Sequence, residues 1–344
     1  MSAAEPRPVR VVVYGVGEMG LLLTRMLVDK GATVAGAVGR SPAKVGRDLG
    51  ELAGLGRDLG VRVTDDPEAL LARCDADVAV MAVSSSIAAM ASHFRVCLAH
   101  GVDVITLEEE CFHPWRSSPS LAADLDALAR DRGATLMASG MQDVFWSRLP
   151  VSLMASAHVI RRVRGRSTWR ADEYGPEVAE HLHIGGDPAA ATAALPGEWG
   201  PMVGRSALEA LAALAGLTPT GFEGRLAPVV AATEIRSQSL EVTIPPGAVS
   251  GVSEIVRVPT AEGIDLELEM SGLVLAPDER PVNAWWIDGE PSLQLLNDDF
   301  PGRMVTCATV VNRVPDVLAA PPGLVTVDRL PPPRFRPGPL LRPR

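Results

Sequence analysis

The stretch Val9 to Gly20, VRVVVYGVGEMG, limits what this chain can fold into more than any other. The β-branched run Val11 to Val13 feeds directly into Gly15-x-Gly17-x-x-Gly20, and the amphipathic segment Leu21 to Lys30 follows at once. That order is a buried strand, a glycine turn and a helix. Gly15 makes the turn, Gly17 lets the backbone approach a pyrophosphate, and Gly20 lets the helix pack on the strand. The helix start, with Glu18 and Met19, then offers unpaired N–H groups and a positive dipole end to phosphates. Glycines also gather in ordinary turns. Here the strand before and the helix after make dinucleotide binding the reading.

Ala32 to Val38 reads as a second strand, ending at Gly39-Arg40-Ser41. An acidic residue near this point holds a ribose 2′-hydroxyl, whereas arginine accommodates a 2′-phosphate. Arg40 with Ser41 therefore favours NADP over NAD, against the plainer reading of Arg40 as a solvated loop charge. Lys44, on a short helix after Ser41-Pro42, can add to a phosphate site. Asp77 to Val83 is an apolar β-run, and Ala82, Val83 and Ser84 at its end are expected to line the cofactor cleft. The serines Ser84 to Ser86 can equally cap a helix over Ile87 to His100. Val102 to Thr106 is the next strand, followed by Leu107, Glu108, Glu109 and Glu110. A helix over Leu121 to Arg132 and a strand over Ala134 to Ala138 lead to Gly140-Met141-Gln142-Asp143-Val144-Phe145-Trp146. Alternating strands and helices predict a doubly wound parallel sheet of the Rossmann type, with ligands outside the carboxyl ends of its strands.

Beyond Trp146 the pattern changes. Tyr174-Gly175-Pro176, His181-x-His183 and Gly185-Gly186 read as loop-rich, and a helix is expected over Ser206 to Leu217. Ile264, Leu266, Leu268 and Met270 alternate with Asp265, Glu267 and Glu269, the mark of a mainly antiparallel sheet with one packed face. The fold class is therefore α/β, with a C-terminal α+β domain whose sheet also offers a surface on which two subunits can pair. The expected organisation is a dinucleotide-binding domain over 1–146 and that second domain over 147–304. Val305 to Val311 and Pro315 to Ala320 read as helical pieces of a 305–330 segment packing back on the first domain. Residues 331–344, PPPRFRPGPLLRPR, read as an extended or loose tail.

Composition narrows the function. A formal charge of −10 leaves no basic surplus for nucleic acid. Cys74, Cys97, Cys111 and Cys307 show no CxxC pair, so free thiols in the cytoplasm are expected rather than disulfides or zinc. The N-terminal residues carry no signal pattern, and no apolar run is long enough to span a bilayer. The two lysines, Lys30 and Lys44, both precede the acidic cluster, which excludes a catalytic lysine in the second domain. A nicotinamide enzyme supplies only hydride from its cofactor and needs a proton-transfer partner. The glutamate cluster stands best placed. A bare Glu-Glu-Glu is usually a solvated run, but this one lies between a buried strand and the apolar Cys111-Phe112-x-Pro114-Trp115. A carboxylate beside apolar rings has its pKa raised and suits general-base work near neutrality. His181 and His183 would share a face only on a strand, and without a third ligand they do not make a metal site. Trp146 and Tyr174 wall a small apolar pocket or pack in a core.

The segments KVGRDLGELAG (Lys44 to Gly54), TLEEECFHPW (Thr106 to Trp115), GMQDVFW (Gly140 to Trp146) and VVNRVPDVLAAPPGLVT (Val310 to Thr326) resemble the 2,4-diaminopentanoate dehydrogenases and the related amine dehydrogenases, within the wider dihydrodipicolinate-reductase-like group. The resemblance covers most of the chain. It implies that 147–304 is a substrate-binding and dimerisation domain, and that the protein is a homodimer that interconverts an amine with a ketone and ammonia, using NADP or NAD. It places the catalytic glutamate on Glu108 and the aromatic pocket on Trp146 and Tyr174, with Phe145 beside them and a histidine from His181 or His183; Asn312 joins the cofactor set. Leu107 stands where a cysteine is common and a third glutamate follows, so the acidic register departs from the family pattern. The expected function is reductive amination of small ketones or aldehydes and its reverse. The alternatives are a 2,4-diaminopentanoate dehydrogenase and a non-catalytic NADP-binding sensor or assembly protein.

Overall fold

The computed structural model describes residues 7–198, 202–276 and 278–342. By backbone proximity the chain divides into one compact unit of residues 1–144 with 303–344, and a second of residues 145–302.

In the first unit, β1 (Arg10–Tyr14), β2 (Thr33–Val38), β3 (Val63–Thr64), β4 (Val78–Met81), β5 (Asp103–Thr106) and β6 (Thr135–Ala138) lie in the order β6-β5-β4-β1-β2-β3, all parallel. The two-residue strand Gly323–Leu324 adds a seventh member beside β6. The strands are short and their apolar runs are buried from both sides, as in a sheet covered on both faces by helices. Those helices are α1 (Glu18–Asp29), α2 (Leu49–Leu52), α3 (Pro67–Leu71), α4 (Ile87–Ala99) and α5 (Pro119–Asp131).

In the second unit, β7 (Val159–Arg170), β8 (Glu223–Val230), β11 (Val249–Pro259), β12 (Asp265–Leu273), β13 (Asn283–Glu290) and β14 (Leu293–Asn297) form a sheet in the order β14-β13-β7-β12-β11-β8. A separate hairpin pairs β9 (Ile235–Ser237) with β10 (Val242–Ile244). All neighbours in the large sheet are antiparallel except β7 with β12. Leu266, Leu268 and Met270 face the core, and Asp265, Glu267 and Glu269 face the other way. The helices here are α6 (Leu149–Met154), α7 (Pro176–His181), α8 (Pro188–Glu198) and α9 (Val203–Ala215), and α9 packs on β11 and β12. Buried Glu254 of β11 accepts hydrogen bonds from the N–H groups of Val203 (3.2 Å) and Gly204 (2.6 Å) and so caps the start of α9.

Two segments differ from their sequence reading. Val305–Val311 and Pro315–Ala320 are not separate pieces. One helix, α10 (Gly302–Leu318), runs through Pro315. Its buried row Cys307, Val310, Val311, Val314 and Val317 holds it together, and the proline removes only one backbone hydrogen bond. The tail has no helix or strand, yet it is pinned. Leu340 is 1% exposed, its N–H donates to the Lys30 carbonyl at 2.8 Å, and its own carbonyl accepts from Val9. Arg342 pairs with buried Asp77, and Arg336 donates to Asn312 Oδ1 and to Asp316. Proline lacks a donor, so the backbone N–H groups that anchor the tail come from its other residues, Arg336, Leu340 and Arg342. The last two tail residues, 343 and 344, lie outside the described residues.

Candidate functional site

The glycine turn lies at the carboxyl end of β1. Gly15 has φ +98°, and a Cβ there would stand 2.2 Å from the Ala82 carbonyl oxygen; one at Gly20 would stand 1.7 Å from the Gly15 carbonyl oxygen. Neither position admits a side chain. Nothing lies within 4 Å of a Cβ position at Gly17, which leaves room for a phosphate against bare backbone. Glu18 begins α1 and pairs with Arg303 of α10 at 3.2 Å, while the Met19 carbonyl faces Cys307 Sγ at 3.8 Å. Gly39 sits against Val16, and Arg40, at the end of β2, is exposed beside half-buried Ser41. Lys44 Nζ donates to the Val16 carbonyl at 2.8 Å and so lies against the glycine turn. Ala82, exposed Val83 and exposed Ser84 follow β4 next to Gly15. Asn312 is half-buried on α10 and holds the tail through Arg336.

The three glutamates follow β5, whose Leu107 N–H donates to the Met81 carbonyl of β4. Their carboxylates have separate tasks. Glu108 is 1% exposed; its two oxygens accept from the N–H groups of Glu110 (2.7 Å) and Cys111 (2.8 Å) and close the turn that starts there. Burial, reinforced by the charge of Glu109, holds its pKa well above the ordinary carboxylate range, against those two hydrogen bonds. Glu110 is 8% exposed; it accepts from the Ile87 N–H at 3.1 Å and from Ser118 Oγ at 2.6 Å. It therefore caps α4, the task expected of the serines; Ser86 makes no side-chain cap bond. Glu109 remains half-buried, with Ser85 as its side-chain partner. Burial raises its pKa too, opposed by the Ser85 hydrogen bond.

A π-helical segment, Gln142–Arg148, carries Phe145 and Trp146, the first two residues of the second unit. Such segments concentrate at functional sites. Phe145 meets Phe300 edge to face at 4.7 Å, and its carbonyl accepts from Trp285 Nε1 at 2.7 Å. Trp146 is 6% exposed and donates from Nε1 to Ser167 Oγ at 3.2 Å. Tyr174 meets Trp169 edge to face at 5.0 Å. Ser167 and Trp169 lie on β7, a strand the sequence reading did not anticipate. His181 ends α7 and is exposed, whereas His183 adopts the left-handed φ +53° beyond it. The two histidines thus lack the strand that would give them a common face. Among the described residues no group of three or more His, Cys, Asp or Glu is placed to hold a metal.

A covered parallel sheet with a glycine-shaped phosphate turn, and a second α+β unit with an aromatic cluster, defines a nicotinamide-dependent oxidoreductase. Residues 147–338 match the 2,4-diaminopentanoate dehydrogenase C-terminal domain. The chain is 25% identical over 341 residues to a 2,4-diaminopentanoate dehydrogenase of Acetoanaerobium sticklandii, covering 95% of this chain and 94% of the relative. It is 31% identical over 187 residues to an amine dehydrogenase of Streptomyces virginiae, about half of each chain (52% and 51%). The solved structure of an amine dehydrogenase from Mycobacterium smegmatis superposes with a TM-score of 0.91 at 46% identity, covering 96% of this chain and 98% of that one. The chain belongs to the family of 2,4-diaminopentanoate dehydrogenases and amine dehydrogenases.

Proposed function

We propose that this protein catalyses the NADP-preferring reductive amination of small ketones and aldehydes with ammonia, and the reverse oxidative deamination. The observation that carries the reading is the division of labour among the glutamates. Glu108 and Glu110 hold backbone N–H groups, and Glu109 is the carboxylate left half-buried at a strand end, with its pKa raised by burial. Bound nicotinamide supplies or accepts the hydride. Glu109 takes a proton from ammonium, which frees the ammonia that attacks the carbonyl carbon, and returns it to the hydroxyl that leaves the carbinolamine as water. Glu108, expected as the proton carrier, shapes the turn that presents Glu109. Phe145, Trp146 and Tyr174 supply the apolar wall, with His181 or His183 at its polar edge. NADPH oxidation with a panel of small ketones tests the reading. Turnover that requires ammonium supports it, and turnover independent of ammonium makes the protein a carbonyl reductase instead.

A simple amine fits better than a carboxylate-bearing one. The arginines that could clamp a carboxylate, Arg148, Arg161 and Arg170, are engaged elsewhere: Arg161 pairs with Glu290, Arg170 donates to the Glu279 carbonyl at 3.0 Å, and Arg148 has a polar partner too. Silence on simple ketones with turnover of 2,4-diaminopentanoate would reverse that preference.

Arg40 carries the cofactor preference, together with Ser41 and the loop Ala82 to Ser84. A charge-assisted hydrogen bond to the 2′-phosphate contributes about 1.5–3 kcal/mol. Arg40→Ala is therefore expected to lower kcat/KM for NADPH about ten- to hundredfold and to leave the value for NADH nearly unchanged. Equal losses with both cofactors would remove Arg40 from this role.

The partner is a second copy of the chain. The outer face of the large sheet carries a depression of about 640 Å³ lined in part by Arg164, Arg166, Glu223, Glu267 and Trp286. Charges of both signs sit there in pairs, Arg164 with Asp288 at 3.1 Å and Arg257 with Asp265 at 2.9 Å. Such a face meets its own copy without net repulsion, although the chain as a whole is acidic. Light scattering should give twice the 36.3 kDa chain mass, and Trp286→Glu should shift it to a single chain; a wild-type monomer would refute the proposal. Among the described residues no helix is long and apolar enough to cross a membrane, and four free cysteines fit a cytoplasmic enzyme.

A further inference from the structure

Asn283 opens β13 and is 1% exposed, yet neither its Oδ1 nor its Nδ2 has a hydrogen-bond partner. A buried donor or acceptor left unmade costs about 1–3 kcal/mol, and a carboxamide carries both kinds. In the sheet, Asn283 stands opposite Ser167 of β7, and Met270 of β12 flanks Ser167 on its other side. Directly opposed residues share a face, so the amide lies on the face where Ser167 Oγ accepts the Trp146 indole. Tryptophans fix the surroundings. The Trp285 ring covers Gly165, where a Cβ would stand 2.6 Å from it, and the Trp169 ring covers Gly272, where the distance would be 2.4 Å.

We propose that Asn283 is a specificity residue whose carboxamide takes a second polar group of the substrate. The substrates favoured are small carbonyl compounds and amines bearing a hydroxyl or amino substituent near the reacting carbon. A hydroxyl both donates and accepts, matching Oδ1 and Nδ2 together. A hydrocarbon group in its place leaves both unmade, and sites built to bond a substrate hydroxyl discriminate against the analogue that lacks it. The inference rests on the amine dehydrogenase reading above.

Hydroxyacetone and butanone test it, because they differ by a hydroxyl in place of a methyl. With ammonium and NADPH, the ratio of kcat/KM for hydroxyacetone to that for butanone is expected to fall at least about tenfold in Asn283→Leu, which keeps the side-chain size and removes both polar atoms. Asn283→Ala, which adds no bulk, should lower the ratio in the same direction if the leucine variant does not fold. An unchanged ratio in an active, folded variant overturns the proposal and leaves the amine dehydrogenase reading standing; it is also the result expected if only an ordered water satisfies the amide. Silence of the wild type on every carbonyl compound, with or without ammonium, overturns the reading and this inference with it.

Discussion

Glu109→Gln is expected to reduce turnover in both directions about 10²- to 10⁴-fold, the usual contribution of a positioned proton-transfer group, while NADPH binding measured by fluorescence stays within about twofold of wild type. The glutamine keeps the size and an acceptor for the Ser85 hydroxyl, so the loss reports proton transfer rather than shape. The pH profile sharpens the test. Glu109 must be ionised to take the proton, and burial raises its pKa, so wild-type activity should be lost as pH falls through a value above the ordinary carboxylate range. That acid limb should be absent from the residual activity of Glu109→Gln. Glu108→Gln should behave otherwise. It turns an amide donor toward the Glu110 or Cys111 N–H, which costs about 1–3 kcal/mol of stability and lowers kcat with the acid limb kept in place. If Glu108→Gln abolishes the limb and Glu109→Gln does not, the two roles are reversed.

Three consecutive glutamates look alike in a sequence. The turn conformation after β5 decides which of them meets backbone N–H groups, and helix starts distant in the chain decide the rest: Glu110 caps α4, which begins 23 residues earlier. The cluster was therefore legible as acidic residues at a strand end, and the partners of its three carboxylates were not. The first unit read well because strands buried on both faces are short apolar runs and its glycines sit where the backbone has no alternative. The second unit read poorly where side chains face outward. β7 shows Arg161, Arg162, Arg164 and Arg166 to solvent, and its inward residues include Gly165 and Ser167, which carry no apolar signal. Asn283 gives none either, since an asparagine is notable only once its missing partners are seen. Lys44 was legible as a neighbour of the glycine turn, but its bond to the Val16 carbonyl was not, since a carbonyl acceptor leaves no mark in a sequence.

Arg313→Met is expected to destabilise the protein by about 3–5 kcal/mol. Arg313 and Asp143 are both fully buried and joined by two hydrogen bonds, Nε to Oδ2 at 2.7 Å and Nη2 to Oδ1 at 3.1 Å. Ser139 Oγ donates to the same carboxylate at 3.0 Å, and Arg313 Nη1 reaches the Pro331 carbonyl at 2.7 Å and Asp316 at 3.2 Å. One guanidinium thus ties the loop after β6 to α10 and to the start of the tail. Removing it takes two charge-assisted hydrogen bonds from the buried Asp143 carboxylate, and a buried charge that loses such bonds is costly. At about 2–4 °C per kcal/mol for a unit of this size, the thermal midpoint should fall by roughly 6–20 °C. Asp143→Leu alone should cost a similar amount, because it leaves Nε and Nη2 of the buried guanidinium without the carboxylate that accepts from them. The double variant Asp143→Leu/Arg313→Met should recover much of the loss, since apolar replacement of a whole buried pair is often neutral. A double-mutant cycle separates the two explanations for such a loss. A coupling energy near zero, with the single losses simply adding, would mean that the arginine acts through its contacts with Pro331 and Asp316 and that its pairing with Asp143 contributes nothing of its own.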